Sequence, residues 1–246
     1  MVQSVILLEN QAFISVDQLL TNERRTLPNI TFGVEAFDNA LPLSFSQFAT
    51  FQGIPAHDLC MRLCVRATLP QPLGPNCDVI FIDGGNNFDP YAISNNSIEY
   101  DLDPVNVLER LHVSRAFTHH QLACLVIDKL QSAIEKFKAK LVIVSDITQL
   151  YCDPDVRDDD KDDSLRIFRK TVRTLRMLAR QHRCLILATN LERRNLEMNR
   201  SLVSAVHVSV RIEQKPGLTR LSLLKHPHLP PRTTTVFDSN VLESYM

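Results

Sequence analysis

The stretch CDVIFIDGGNNFDP, from Cys77 to Pro90, decides the fold. Val79, Ile80, Phe81 and Ile82 run without alternation into Asp83 and a Gly-Gly-Asn-Asn turn. That is the pattern of a strand buried on both faces and ending in a polar loop. In open α/β sheets, ligands sit at such strand ends. Two further runs have the same form: LVIVSD from Leu141 to Asp146, and CLILATN from Cys184 to Asn190. Each follows an amphipathic helix and stops at small polar residues, so a site is expected along the carboxyl edge of a parallel sheet.

Outward from these strands, the helix–strand alternation continues. Upstream, a strand over Phe45–Phe51 leads through a loop into a helix over His57–Thr68. Downstream, a helix over Pro104–Glu109 precedes a short strand over Leu111–Val113. Thr118–Lys138 reads as one helix, with Leu122, Val126, Leu130, Ile134 and Phe137 at helical spacing. Alternating elements predict right-handed crossovers and an α/β fold with a mostly parallel central sheet flanked by helices. After Asn190 the pattern becomes a two-residue alternation, over Val206–Ile212 and Leu218–Leu224, joined by Gln214–Gly217. This is a hairpin signal, so the sheet should close with antiparallel strands. Residues 1–30 read as an N-terminal extension or linker whose apolar strand is expected to pack either on the chain's own sheet or on a neighbouring subunit, and 31–246 as the core domain.

The 246 residues are 44% hydrophobic and 22% charged, enough for one globular domain with a sizeable core. A net charge of −1 gives no global attraction to nucleic acid or to an anionic membrane, so any such binding must come from a local patch. The six cysteines contain no C-x-x-C pair and read as small buried hydrophobes, not as zinc ligands or disulfides. No run of apolar residues is long enough to cross a membrane. A cytoplasmic location is expected, or a nuclear one in a eukaryote.

The strand–loop–helix at 45–68 is where an α/β nucleotide-binding protein carries its phosphate loop. Such a loop needs glycines whose flanking amides wrap phosphates, a Lys for the β and γ oxygens, and a Ser or Thr for Mg²⁺. Phe51 to Leu59 reads FQGIPAHDL: one glycine, Gly53, no lysine, and Asp58 where negative charge would oppose a triphosphate. Hydrolysis of ATP by this loop is not expected.

Several strings, in order, resemble the ATPase core of the RecA/RadA-type strand-exchange recombinases, in their archaeal and eukaryotic branch. Cys60–Pro70 resembles the helix after the family's phosphate loop. Phe81–Pro90 resembles the strand and turn bearing its catalytic glutamate. Arg115-Ala-Phe117 with His120-Gln121, Leu141–Tyr151, Leu175–Ala179 through Asn190, and Lys225–Pro231 resemble later segments, covering about residues 26–240. The resemblance implies a RecA-like P-loop NTPase fold in a core-only paralogue with degenerate Walker motifs.

The departures fall on the chemistry. Ala56 and His57 stand where the family has Lys and Thr, and Gly85 stands where it has the glutamate that orients water. Ser145 takes the place of the strand-end Asp, with Asp146 one residue on, and Leu191 replaces the Gln after Asn190. Gly53, Ala56, His57, Gly85, Ser145, Asp146 and Asn190 thus mark a degenerate nucleotide site. Neither a catalytic residue nor bound ATP, Mg²⁺ or other metal is expected there.

Other segments suggest binding. Arg166, Arg169, Arg173, Arg176, Arg180 and Arg183 recur at intervals of three and four over a helix expected at 163–183. Phe168, Val172, Leu175 and Ala179 form its opposite face. A solvated face is the plain reading of this ridge, and an anionic partner the sharper one. The loop after Asn190 falls where the resemblance puts the second DNA-contacting loop. Arg193, Arg194 and Arg200 are candidates for phosphates, and Met198 for a wedge between bases. Residues 153–163, with seven Asp, read as a solvated loop that would repel DNA at the family's first DNA loop. Phe13 and Val16 lie about where the family carries its subunit hook, Val16 being larger than the family's Ala.

The expected function is therefore a catalytically inactive binding or accessory subunit in DNA recombination or repair. A recombinase or paralogue subunit is the expected partner, and single-stranded DNA a candidate second one. The alternatives are a divergent ATPase completed by a neighbouring subunit, and a RecA-fold regulatory scaffold unconnected with DNA.

Overall fold

The computed structural model describes residues 30–151, 158–191 and 196–237, and the side chains of 158–161 and 196 are also outside the description. In chain order the elements are α1 (Glu35–Ala40), β1 (Phe48–Gln52), α2 (Ala56–Thr68), β2 (Val79–Asp83), α3 (Pro90–Glu99), α4 (Pro104–Glu109) and β3 (Leu111–Arg115). There follow α5 (His119–Cys124), a π-helical turn (Leu125–Lys129), α6 (Leu130–Phe137), β4 (Leu141–Ser145) and α7 (Asp158–Gln181). β5 (Leu185–Asn190), α8 (Leu196–Ala205), β6 (Val208–Lys215), β7 (Leu218–Lys225) and β8 (Arg232–Phe237) complete the described chain.

One eight-stranded sheet has the order β3-β2-β4-β5-β1-β6-β7-β8. All pairings from β3 through β6 are parallel, and β6–β7–β8 are antiparallel. Every residue of β1, β2, β4 and β5 is buried, which is why these strands are largely apolar. Alternate residues serve two cores. Ala49, Phe51, Val79, Phe81, Ile143 and Leu187 pack with α2 on one face. Phe48, Ile80, Ile82, Val144, Ile186 and Ala188 pack with α5, α6 and α7 on the other. Each fully buried large side chain contributes about 1.5–3 kcal/mol relative to exposure. The sheet is thus held from both sides, and its carboxyl edge is placed by two independent cores.

The structure differs from the sequence expectation in several places: α3 was not foreseen, and α8 begins at Leu196, inside the stretch expected to be a loop through Ser201. The helix expected over Thr118–Lys138 is interrupted by the π turn, which sequence periodicity alone cannot reveal. Asp158 to Asp163 do not belong to a loop: they open α7, at the helix end where the dipole favours negative charge. That helix ends at Gln181, so Arg183 lies beyond it, with φ of 49° in the left-handed region. β8 was not foreseen, because its run Arg-Thr-Thr-Thr-Val-Phe has no apolar alternation before its last residues. Four cysteines (Cys60, Cys64, Cys77, Cys184) are free and buried as expected, whereas Cys124 is exposed. No described helix is long and apolar enough to cross a membrane.

Candidate functional site

The parallel register sets the ends of four strands side by side. Asp83 of β2 pairs with Ser145 of β4, and Gln52 of β1 pairs with Asn190 of β5. Gly53, Gly84, Gly85 and Asp146 follow directly on these ends. The expected site residues therefore share one edge of the sheet.

The loop between β1 and α2 is a tight turn, three of whose amides donate within the protein itself. Gly53 N–H donates to the Asn190 carbonyl at 3.2 Å, Ala56 N–H to the Gly53 carbonyl at 3.2 Å, and His57 N–H to the Ile54 carbonyl at 3.3 Å. Pro55 has no N–H to offer. Gly53 itself is required by the fold: its φ is 112°, and a Cβ there would collide with the Ile212 carbonyl of β6. Ala56 is buried, Ile54 is exposed at the turn, and Asp58 in the first turn of α2 meets the helix dipole with its own negative charge.

At the end of β2, the Asp83 carboxylate is fully buried and surrounded by donors. It accepts from Asn87 N–H (2.9 Å), Phe88 N–H (3.2 Å), the Ser145 hydroxyl (2.8 Å) and the Arg115 guanidinium (3.3 Å). Burial pushes its pKa up, but the two amides, the Ser145 hydroxyl and Arg115 together outweigh burial and hold it below the ordinary value. Ser145 Oγ in turn accepts from Gly84 N–H at 3.2 Å and Gly85 N–H at 3.4 Å, so it ties β4 to the turn after β2. Asp83, Arg115 and Asn87 were not among the expected site residues. The signal for Asp83 was its place at the end of an unbroken apolar run.

Asp146, with φ of 42°, projects its carboxylate across this turn to accept from Asn87 Nδ2, and its own N–H donates to Thr189 Oγ1 at 2.9 Å. The Asp146–Asn87 pair fills the space over Gly85. A Cβ on Gly85 would stand 2.5 Å from Asp146 Oδ2 and 2.9 Å from Asp146 Cβ, closer than real Cβ contacts come. A side chain at position 85 would require the Asn87 and Asp146 side chains to move.

Along β1, β5 and β6, several buried polar atoms have no hydrogen-bond partner among the described residues. Thr50 Oγ1 and Ser209 Oγ sit on paired residues of β1 and β6, and Asn190 Oδ1 is similar, although Asn190 Nδ2 donates to Asn199 Oδ1 at 2.8 Å. His57 Nδ1 is also buried without a partner.

The binding candidates divide. Met198 is a correction: at 3% exposure it packs with Leu202 and Val206 in the core under α8, because it lies on the helix face turned to the sheet. Arg200 is exposed on α8. Arg193, Arg194, Phe13 and Val16 lie outside the described residues. On α7, Phe168, Val172, Leu175 and Ala179 are buried, and Arg166, Arg169, Arg173 and Arg180 are exposed on the other face, with Arg176 half-buried.

Part of this ridge has structural work. Arg166 pairs with Asp163, Arg169 Nε reaches Ser201 Oγ at 3.5 Å, and an Arg176 guanidinium N–H donates to the Ala205 carbonyl at 2.7 Å. Lys225 of β7 donates to the Val203 and Ser204 carbonyls at 2.8 and 3.2 Å, so two cations cap the C-terminus of α8.

A comparison with protein families adds one finding: the family model described as Rad51 matches residues 23–241, nearly the whole chain.

Proposed function

This chain belongs to the Rad51 family, and on that premise we propose that it acts in recombination or repair as a binding subunit that does not turn over ATP. The observation that carries the reading is Gly85. Where the resemblance has a water-orienting glutamate, this chain has a glycine, and the side chains of Asp146 and Asn87 lie over it, bonded to each other. The residues around it do not fit a triphosphate with its Mg²⁺. The loop amides of Gly53, Ala56 and His57 donate within the protein, and the loop itself carries no Lys or Arg. The Ser145 hydroxyl is committed to Asp83 and is not free for a metal.

What the edge of the sheet retains is mechanical. The Asp83–Ser145–Asp146–Asn87 network joins β2, β4 and the turn into α3, and holds the family's frame without its reactive groups. In this reading the chain works through a partner recombinase or paralogue subunit. A single-stranded DNA contact through the loop after Asn190 belongs to the same proposal, with Arg193, Arg194 and Arg200 on phosphates. Met198 is left out because it is needed in the core.

The test is magnesium-dependent ATP turnover by the purified chain, alone and mixed with an active recombinase of the same cell. No turnover attributable to this chain is expected in either case. Turnover that Asp146→Ala abolishes would overturn the reading.

A further inference from the structure

Two arginines on the α7 ridge, and a third just past the helix, have no structural explanation. Arg173 and Arg180 are exposed, as is Arg183 just past the helix, and among the described residues none of the three side chains has a hydrogen bond or ion pair. Lys170 is exposed beside them. From Ser164 to Gln181 the helix has no Asp or Glu at all, so the i,i+4 partners of an ordinary solvated helix are missing. The acidic side chains described nearest in sequence are Asp162 and Asp163, one helix end away, and Asp163 is already paired with Arg166.

Positive charge continues beyond α7 to the C-terminus of α8, where Arg176 and Lys225 donate to backbone carbonyls. His207 is held down to about 4, by burial first and then by Arg176, Arg180 and Lys225. Lys225 is itself lowered, by burial and then by Arg176. Among the described residues, no carboxylate acts on either. The cations of α7 and β7 thus repel one another at the C-terminus of α8, a cost that an anion laid across them would relieve.

We propose that the arginine ridge of α7 is a docking surface for the phosphate backbone of duplex nucleic acid, separate from the loop after Asn190. From Arg166 to Arg180 the ridge runs about 21 Å at the helical rise. That length of duplex presents roughly a dozen phosphates. The cations are nearly all arginine, whose planar fork suits phosphate oxygens bidentately. The exposed face offers no aromatic side chain on which an unpaired base would stack: Phe168 is buried, and the exposed apolar residue is Met177. The ridge therefore reads backbone and not bases, and favours duplex over single strand. This inference rests on the nucleic-acid role proposed above and adds a second surface to it.

The experiment measures anisotropy of a short fluorescein-labelled duplex, of one of its strands alone, and of a labelled poly-glutamate peptide, across about 50–200 mM salt. Wild type is compared with Arg173→Glu/Arg180→Glu, Arg173→Lys/Arg180→Lys and Arg193→Glu/Arg194→Glu, with circular dichroism confirming the fold of each. The ridge reversal should weaken duplex binding at least tenfold and lower the salt slope by about two, one for each phosphate that loses its arginine. The Lys pair should keep most of the affinity, and the loop reversal should act mainly on the single strand. Duplex binding unchanged by the ridge reversal overturns the inference, as does tighter ridge-dependent binding of poly-glutamate or of the single strand. Loss of single-strand binding in the loop variant alone, with the duplex never bound, sinks the ridge and leaves the loop proposal standing.

Discussion

The carboxylate of Asp146 stands where a side chain on Gly85 would have to be, with Oδ2 2.5 Å from the place of the missing Cβ. One arrangement therefore joins the ends of β2 and β4. Without a side chain at 85, Asp146 turns in and takes Asn87 as its partner.

A glutamate introduced at position 85 should not create an active centre. Gly85→Glu must push Asp146 and Asn87 aside, and overpacking of this kind costs about 1–3 kcal/mol. Urea unfolding should show that loss and an ATPase assay should show no gain. A variant as stable as the parent would mean that the turn is loose.

Ser145 links both halves of the network, donating to Asp83 and accepting from Gly84 and Gly85. Ser145→Ala should cost roughly 1–3 kcal/mol, since it leaves buried groups short of partners. Ser145→Asp, which resembles the family's residue, should cost more at neutral pH because a second carboxylate meets the ionised Asp83. The gap between the two variants, read from thermal melts, should narrow in acid as one carboxyl takes a proton. A gap independent of pH would contradict the charge argument.

Stability should fall as the solution is acidified from about pH 6.5 towards 4. His207 is neutral in the folded state, with Nδ1 accepting Phe48 N–H at 2.9 Å, and burial with Arg176, Arg180 and Lys225 lowers its pKa to about 4. The unfolded chain binds that proton nearer pH 6.5, so protons favour unfolding between the two values. Asp83, also lowered, adds to the loss at still lower pH. His207→Asn, whose Oδ1 can accept from Phe48, should remove the part of the slope between pH 6.5 and 4, and an unchanged slope would reject His207 as its source.

Thr50 and Met198 should behave oppositely in the core. Thr50→Val replaces an unpartnered buried hydroxyl by a methyl and should be neutral or stabilising. Met198→Ala should cost about 2–5 kcal/mol, whereas Arg200→Ala, exposed on the same helix, should stay within about half a kcal/mol. Chemical denaturation checks all three, and a neutral Met198→Ala would return that residue to the surface.

Much of this was legible in the sequence because parallel strands advertise themselves. Val79–Ile82, Leu141–Val144 and Leu185–Ala188 are apolar at every position, which only a two-faced core requires, and their polar stops mark the edge of the sheet. Asp146 and Asn190 followed from those stops, whereas Gly53, Ala56, His57 and Gly85 came from the phosphate-loop pattern and the resemblance. What hid was anything set by contact across the chain. The crowding over Gly85 depends on where Asp146 turns, and two of the four partners of Asp83, Ser145 and Arg115, come from neighbouring strands. Met198 looked available because a loop was expected to run through 201, and helix α8 turned that side chain inward. The first aspartates of α7 looked like a loop because charge density masked a helix whose dipole favours them.

Equilibrium binding of magnesium-ATP to the purified chain, by titration calorimetry at millimolar nucleotide, tests the central claim most directly. The account predicts no saturable heat, since the amides of Gly53, Ala56 and His57 are already bonded and the loop has no Lys or Arg for the phosphates. Saturable micromolar binding, with the nucleotide seated between Gly53 and Cys60, would contradict it.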